Sequence, residues 1–142
     1  MQIFFGLVVV ALSLLAWGGQ TVSWLAPASA VKLGLMEGED DVEPTFWVDI
    51  RGEAAWDALT LWTMVVAGVL IVIDNSAWAY FGLVGDGIYL YFGGRGIFTR
   101  LAMQRRDLRI GTPANVKTGV AFLGVWALMG LVTIIAATAA LT

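Results

Sequence analysis

Apolar residues in this chain gather in long runs separated by two polar stretches. The first run is "QIFFGLVVVALSLLAWGGQTVSWLA", Gln2 to Ala26, and Pro27 stops it. The second extends almost unbroken from Ala54 to Phe98, and the third from Val116 to Leu141. A bilayer-crossing helix needs about 20 apolar residues, so these runs read as membrane helices. A straight helix over 54–98 would be roughly 68 Å long, against a hydrocarbon core of about 30 Å. That run must therefore break, and "DNS" at 74–76 is its strong turn signal. Asp74 or Ser76 is placed to cap the helix that follows.

The pattern predicts an all-α integral membrane protein. It is a single domain over 1–142, a bundle of four transmembrane helices at about 2–26, 54–73, 77–98 and 116–141. The first run lacks a basic N-terminal region, and the Ala28-Ser29-Ala30 triplet lies well beyond its apolar core. It therefore reads as a retained helix rather than a cleaved leader. In the polar stretch Val31–Glu53, Pro44 or Thr45 opens a short helix, and Phe46, Trp47 and Ile50 suit the membrane interface. The basic stretch Arg95–Lys117 extends the third helix as an amphipathic tail, ended by Gly111-Thr112-Pro113. Gly119, Gly124 and Gly130 offer close packing on the fourth helix.

Composition sharpens the class. The chain has 142 residues, 59% hydrophobic and 13% charged, where soluble domains carry about 25% charged residues. It has no cysteine and no histidine. Disulfides, thiolate or imidazole metal sites, His-ligated haem and His- or Cys-based triads are thereby excluded. No phosphate-binding loop is present, since "GGRG" at 93–96 is too short. No cofactor, metal or nucleic-acid partner is expected.

The charges then set an orientation. With four spans, Lys32, Arg51, Arg95, Arg100, Arg105, Arg106, Arg109 and Lys117 all fall on one face. The positive-inside rule makes that face cytoplasmic and puts both termini outside. The first connection is acidic, with Glu37, Glu39, Asp40, Asp41 and Glu43 in a cluster; the second is basic. Two readings coexist. The loops can be solvated and held at anionic lipid, or the acidic connection can fold over the basic one as a cap. Exposed pairs are each worth about 0–1 kcal/mol, so a cap needs apolar anchors, and Phe46, Trp47 and Ile50 can serve.

Two groups of residues carry candidate chemistry. Asp86 stands alone in "AYFGLVGDGIYLYF", 79–92. An ionised aspartate at the bilayer centre costs roughly 2.5–3.5 kcal/mol on insertion scales, so Asp86 should face the bundle, with Gly82, Gly85 and Gly93 leaving room beside it. Counting inward at 1.5 Å per residue, Gln20, Thr63 and Trp126 reach a similar depth on the other helices. All three can donate hydrogen bonds, so Asp86, Gln20, Thr63 and Trp126 form a candidate intramembrane polar site. It is either a satisfied knot that fixes helix register or a proton- or ligand-binding site. The second group, Arg51, Glu53, Asp57 and Arg95, is a candidate cluster at the cytoplasmic entrance to the second and third helices. Trp17, Trp24, Trp47, Trp56 and Trp78 fall near helix ends as an interfacial belt.

A first helix running into "APASAVKLGL", a charged approach "RGEAAWD", then "VAGVLIVI", a tight turn and a third helix together resemble the small DoxX-like group of bacterial four-helix membrane proteins. The resemblance covers about two thirds of the chain. It departs from the group in the separation of Glu53 from Gly68, and no functional residue carries over. It implies a four-helix bundle and, for some members, respiratory or quinone-linked partners.

The function expected from these readings is that of a non-enzymatic bacterial inner-membrane protein. It would sit in the lipid bilayer and either self-associate as a homo-oligomer or serve as an accessory subunit of a larger membrane complex. A small transporter or channel protomer using Asp86 is one alternative, and a lipid- or quinone-binding protein another.

Overall fold

A computed structural model describes residues 2–142, and its elements follow the runs. They are α1 (Gln2–Leu25), α2 (Pro27–Lys32), a 3-10 turn (Glu39–Asp41), α3 (Pro44–Thr60), α4 (Trp62–Val72), α5 (Trp78–Gln104) and α6 (Pro113–Leu141). No strand occurs among the described residues. Helices α1, the α3–α4 pair and α6 are long and apolar enough to cross a membrane. Helix α5 is 27 residues long but less apolar, because it carries Asp86, Arg95, Arg100 and six glycines.

Packing follows chain order. Helix α1 lies against α4 and α3, α4 against α5, and α5 against α6. Small residues let these helices approach. A Cβ at Gly68 would sit 2.9 Å from the Val10 backbone nitrogen, and one at Gly93 would sit 2.6 Å from the Leu123 carbonyl oxygen. Of the three glycines expected to serve α6, Gly130 does so, against the Asp86 backbone and Tyr89. Gly124 has nothing within 4 Å, and Gly119 meets only Arg100. The first and last helices touch lightly, and the Trp126 indole closes the ring by donating to the Leu12 carbonyl at 2.9 Å. The core comprises Val9, Ala16, Leu61, Met64, Ala67, Tyr89, Phe92, Leu123 and Met129. Outward positions such as Phe4, Leu15, Leu128 and Ile135 are apolar and exposed.

Three local departures from the expected layout have physical causes. The short helix at Pro44 and the second span are not separate. The helix starts at Pro44, with Pro in its first turn, and runs to a break at Leu61. No turn signal lies between Pro44 and Ala54, and Asp49 and Glu53 on this part share a partner on α5, so the chain stays helical. The turn at 74–76 forms, with Asp74 at φ 56°, but Asn75 rather than Asp74 or Ser76 accepts the Ala77 N–H, at 3.0 Å. The Asp74 carboxylate instead accepts from Gln2 Nε2 at 2.8 Å, tying the start of α1 to this turn. The amphipathic tail stops at Gln104, ahead of Gly111-Thr112-Pro113, and that segment opens the next helix instead: Thr112 caps and Pro113 begins the first turn of α6.

The two polar connections meet at the other end. Val42 and Ile110 form an isolated antiparallel bridge, and Glu43 N donates to Arg109 O at 2.7 Å. Val42, Phe46, Ile110 and Val116 form a second apolar cluster, with Trp47 and Ile50 against it. The Arg100 guanidinium lies 5.5 Å over the Phe46 ring.

Candidate functional site

The break at Leu61 organises the interior. A helix end leaves its last carbonyls without intrahelical donors, and inside a membrane no water is there to replace them. Four side chains meet this need. Trp17 Nε1 donates to Ala58 O at 2.8 Å, Trp62 Nε1 to Leu59 O at 2.9 Å, and Thr63 Oγ1 to Thr60 O at 2.9 Å. Tyr89, fully buried, directs its hydroxyl at Leu61 O, 3.4 Å away, and at Ser13 O, 3.2 Å away.

This arrangement corrects the expected polar site. Asp86 is buried with no exposed surface, on the face of α5 that enters the bundle. Its proposed donors are turned elsewhere: Thr63 serves the helix break, and Trp126 serves Leu12 on α1. Gln20 is half-buried and makes no side-chain hydrogen bond to Asp86. Both Asp86 carboxyl oxygens are buried and without a hydrogen-bond partner. The physical reason is proximity along the chain. A threonine hydroxyl reaches the carbonyl three residues back at no entropic loop cost, and depth alone does not aim a side chain across a bundle. Glycines do flank Asp86 as expected, but they seat neighbours rather than leave space. Met64 lies over Gly85, and Trp78 and Ala137 lie beside Gly82.

The entrance cluster is partly assembled. Arg95 on α5 reaches across to α3, with NH1 2.8 Å from Glu53 Oε1 and NH2 2.5 Å from Asp49 Oδ1. Asp49 was not singled out in the sequence. Its spacing of four from Glu53 is the signal that would have found it, since that spacing puts both on one helical face. Arg51 does not join the cluster. Its guanidinium donates to the Ser23 and Trp24 carbonyls at the C-terminus of α1, where orphan acceptors and the helix dipole favour a cation. Asp57 is 4% exposed, and its Oδ2 has no partner. Asp49, Glu53, Asp57 and Arg95 line a cleft of about 390 Å³ with Val48, Gly52, Trp56 and Tyr91.

At the connection end, Arg109 holds Glu43 at 3.5 Å and donates to the Asp40 and Val42 carbonyls. Arg105 and Arg106 are exposed and make no ion pair among the described residues. Burial pulls the Arg100 guanidinium below its ordinary pKa, against the opposing fields of Glu53 and Asp49. No group of metal-ligating side chains occurs among the described residues.

Compared with protein-family models, curated proteins and solved structures, the chain has no match. The site's geometry alone carries the functional reading.

Proposed function

We propose that this chain is a four-span bacterial inner-membrane protein without enzymatic activity. In this reading it is the protomer of a small transporter or channel, and Asp86 takes up and releases a proton inside the bundle. Three observations support α5 as the fourth span: its 27-residue length, its place between α4 and α6, and the exposed apolar residues Tyr80, Val84, Tyr91 and Phe98 on its outer side. The distribution of cations supports a cytoplasmic position for both connections and an external one for both termini.

Asp86 carries the functional part. A carboxylate buried with no donor is among the most costly groups a bundle can hold, and a structural knot would have supplied donors. An intramembrane acid that is not satisfied by its own bundle is the usual mark of a proton or ion pathway. Four helices of this size enclose little aqueous space, so this function requires assembly of several copies. Gly87 and Gly94, seven residues apart on α5, have nothing within 4 Å of their Cβ positions. They leave room for a neighbouring helix. The same feature supports the accessory-subunit reading.

Proton flux into liposomes, driven by a potassium diffusion potential and read with an internal pH dye, tests the proposal. Wild type is expected to conduct, and Asp86→Asn, which keeps shape but cannot titrate, is expected to abolish flux. Equal flux in both would remove Asp86 from the pathway. No flux in either would leave the accessory-subunit reading.

A further inference from the structure

The cleft between α3 and α5 is a separate feature, independent of Asp86. Its charged floor contains three carboxyl groups, Asp49, Glu53 and Asp57, and one guanidinium, Arg95. The two terminal nitrogens of Arg95 are already committed to Asp49 and Glu53. Acceptors therefore outnumber donors, and Asp57, one of the residues lining the cleft, keeps its Oδ2 atom buried and unpartnered. A molecule that completes this site must bring N–H or O–H donors, and positive charge favours it.

The rim has a different character. Val48, Trp56 and Tyr91 line the cleft and are themselves largely exposed. In a bilayer these three would meet acyl chains, and Trp and Tyr are the residues that settle at headgroup depth. Their ring faces also attract a cation. A volume of about 390 Å³ lies within the range of small-ligand sites, about 300–1,000 Å³, and suits a headgroup rather than a whole lipid.

We propose that this cleft binds the primary-ammonium headgroup of a membrane amphiphile. Asp57 is the principal acceptor, Asp49 and Glu53 assist, and the acyl chains leave over Val48, Trp56 and Tyr91. A lipid is favoured over a soluble amine because the exposed rim residues Val48, Trp56 and Tyr91 are apolar or aromatic. The inference rests on the membrane reading but not on proton uptake at Asp86. Lipid retention and proton flux are separate measurements, so either reading can fail alone.

The test is lipid retention by the full chain purified from vesicles of equimolar phosphatidylethanolamine, phosphatidylcholine and phosphatidylglycerol, read by native mass spectrometry. Phosphatidylcholine has the same phosphate, but its trimethylated nitrogen cannot donate a hydrogen bond. Wild type should retain phosphatidylethanolamine about tenfold over either other lipid, and Asp57→Asn should bring the ratio to phosphatidylcholine near parity. Parity in the wild type overturns the proposal whether or not the variant folds. Preference for phosphatidylglycerol overturns it in favour of an anion site at Arg95. Release of the bound lipid by free ethanolamine at equal concentration would overturn the assignment to a lipid.

Discussion

The Tyr89 hydroxyl on α5 lies 3.4 Å from the carbonyl oxygen of Leu61, the residue at which the second helical arm breaks. The same hydroxyl is 3.2 Å from Ser13 O on α1, so one side chain joins three helices at their centre. With the Trp17 indole on Ala58 O, it turns a helix break into an interhelical junction.

Removing these donors should therefore destabilise the bundle without changing its shape. Hydrogen bonds within membrane bundles average about 0.6 kcal/mol and reach about 1.7. Tyr89→Phe and Trp17→Phe should each cost about 0.6–1.7 kcal/mol in reversible unfolding in mixed micelles. Tyr91→Phe, whose ring is exposed, should cost almost nothing. Equal losses at 89 and 91 would contradict the junction.

The close approaches predict a sharp difference between glycines. Gly93→Ala puts a methyl group 2.6 Å from the Leu123 carbonyl oxygen, and Gly68→Ala forces one into Val10. Overpacking of this kind costs about 1–3 kcal/mol. Gly87→Ala meets nothing within 4 Å and should be neutral or slightly stabilising in the monomer. Melting of the three variants in detergent decides it.

Arg95 bridges Glu53 and Asp49 at side chains 30%, 14% and 35% exposed. Such a pair lies between the exposed and fully buried regimes. Arg95→Met should cost about 1–3 kcal/mol by leaving Glu53 unpaired. Adding Glu53→Gln should recover part of that loss, and a double-mutant cycle measures the coupling. Arg105→Met, at an unpaired surface position, should be silent. A null cycle at Arg95 and Glu53 would remove the bridge as a stabilising contact.

The cap over the connections should depend on apolar contact more than on charge. The Arg109–Glu43 pair is substantially exposed, so exchanging its charges should shift stability by about 0–1 kcal/mol. Ile110→Ala, at a residue 5% exposed, should cost about 2 kcal/mol or more. Protease protection of 33–43 in detergent provides the local readout, and a larger effect from the charge swap would reverse this ranking.

Orientation is checked with single cysteines in this cysteine-free chain, at Glu39, Asn75, Gln104 and Thr142. Positions 39 and 104 should label from the cytoplasmic side, and 75 and 142 from the other. Labelling of 39 and 104 from opposite sides would sink the four-span arrangement.

The apolar runs, the break at 74–76 and the inward burial of Asp86 were legible in the sequence, because each depends on local chain length, turn chemistry or the cost of a charge in hydrocarbon. Arg95 and Glu53 could also be placed at the same end of the bundle, since both flank apolar runs. The sequence could not show that Arg51 turns to α1, that Asp49 takes its place beside Arg95, or that Thr63 and Trp126 leave Asp86 unpartnered. These outcomes depend on how far each helix is rotated about its axis and how closely it approaches its neighbours. That rotation is set by contacts between distant segments, Gly68 on Val10, Gly93 on Leu123 and Gly130 on the Asp86 backbone. A residue's depth follows from counting along its own helix, whereas the partner it faces follows from packing against another.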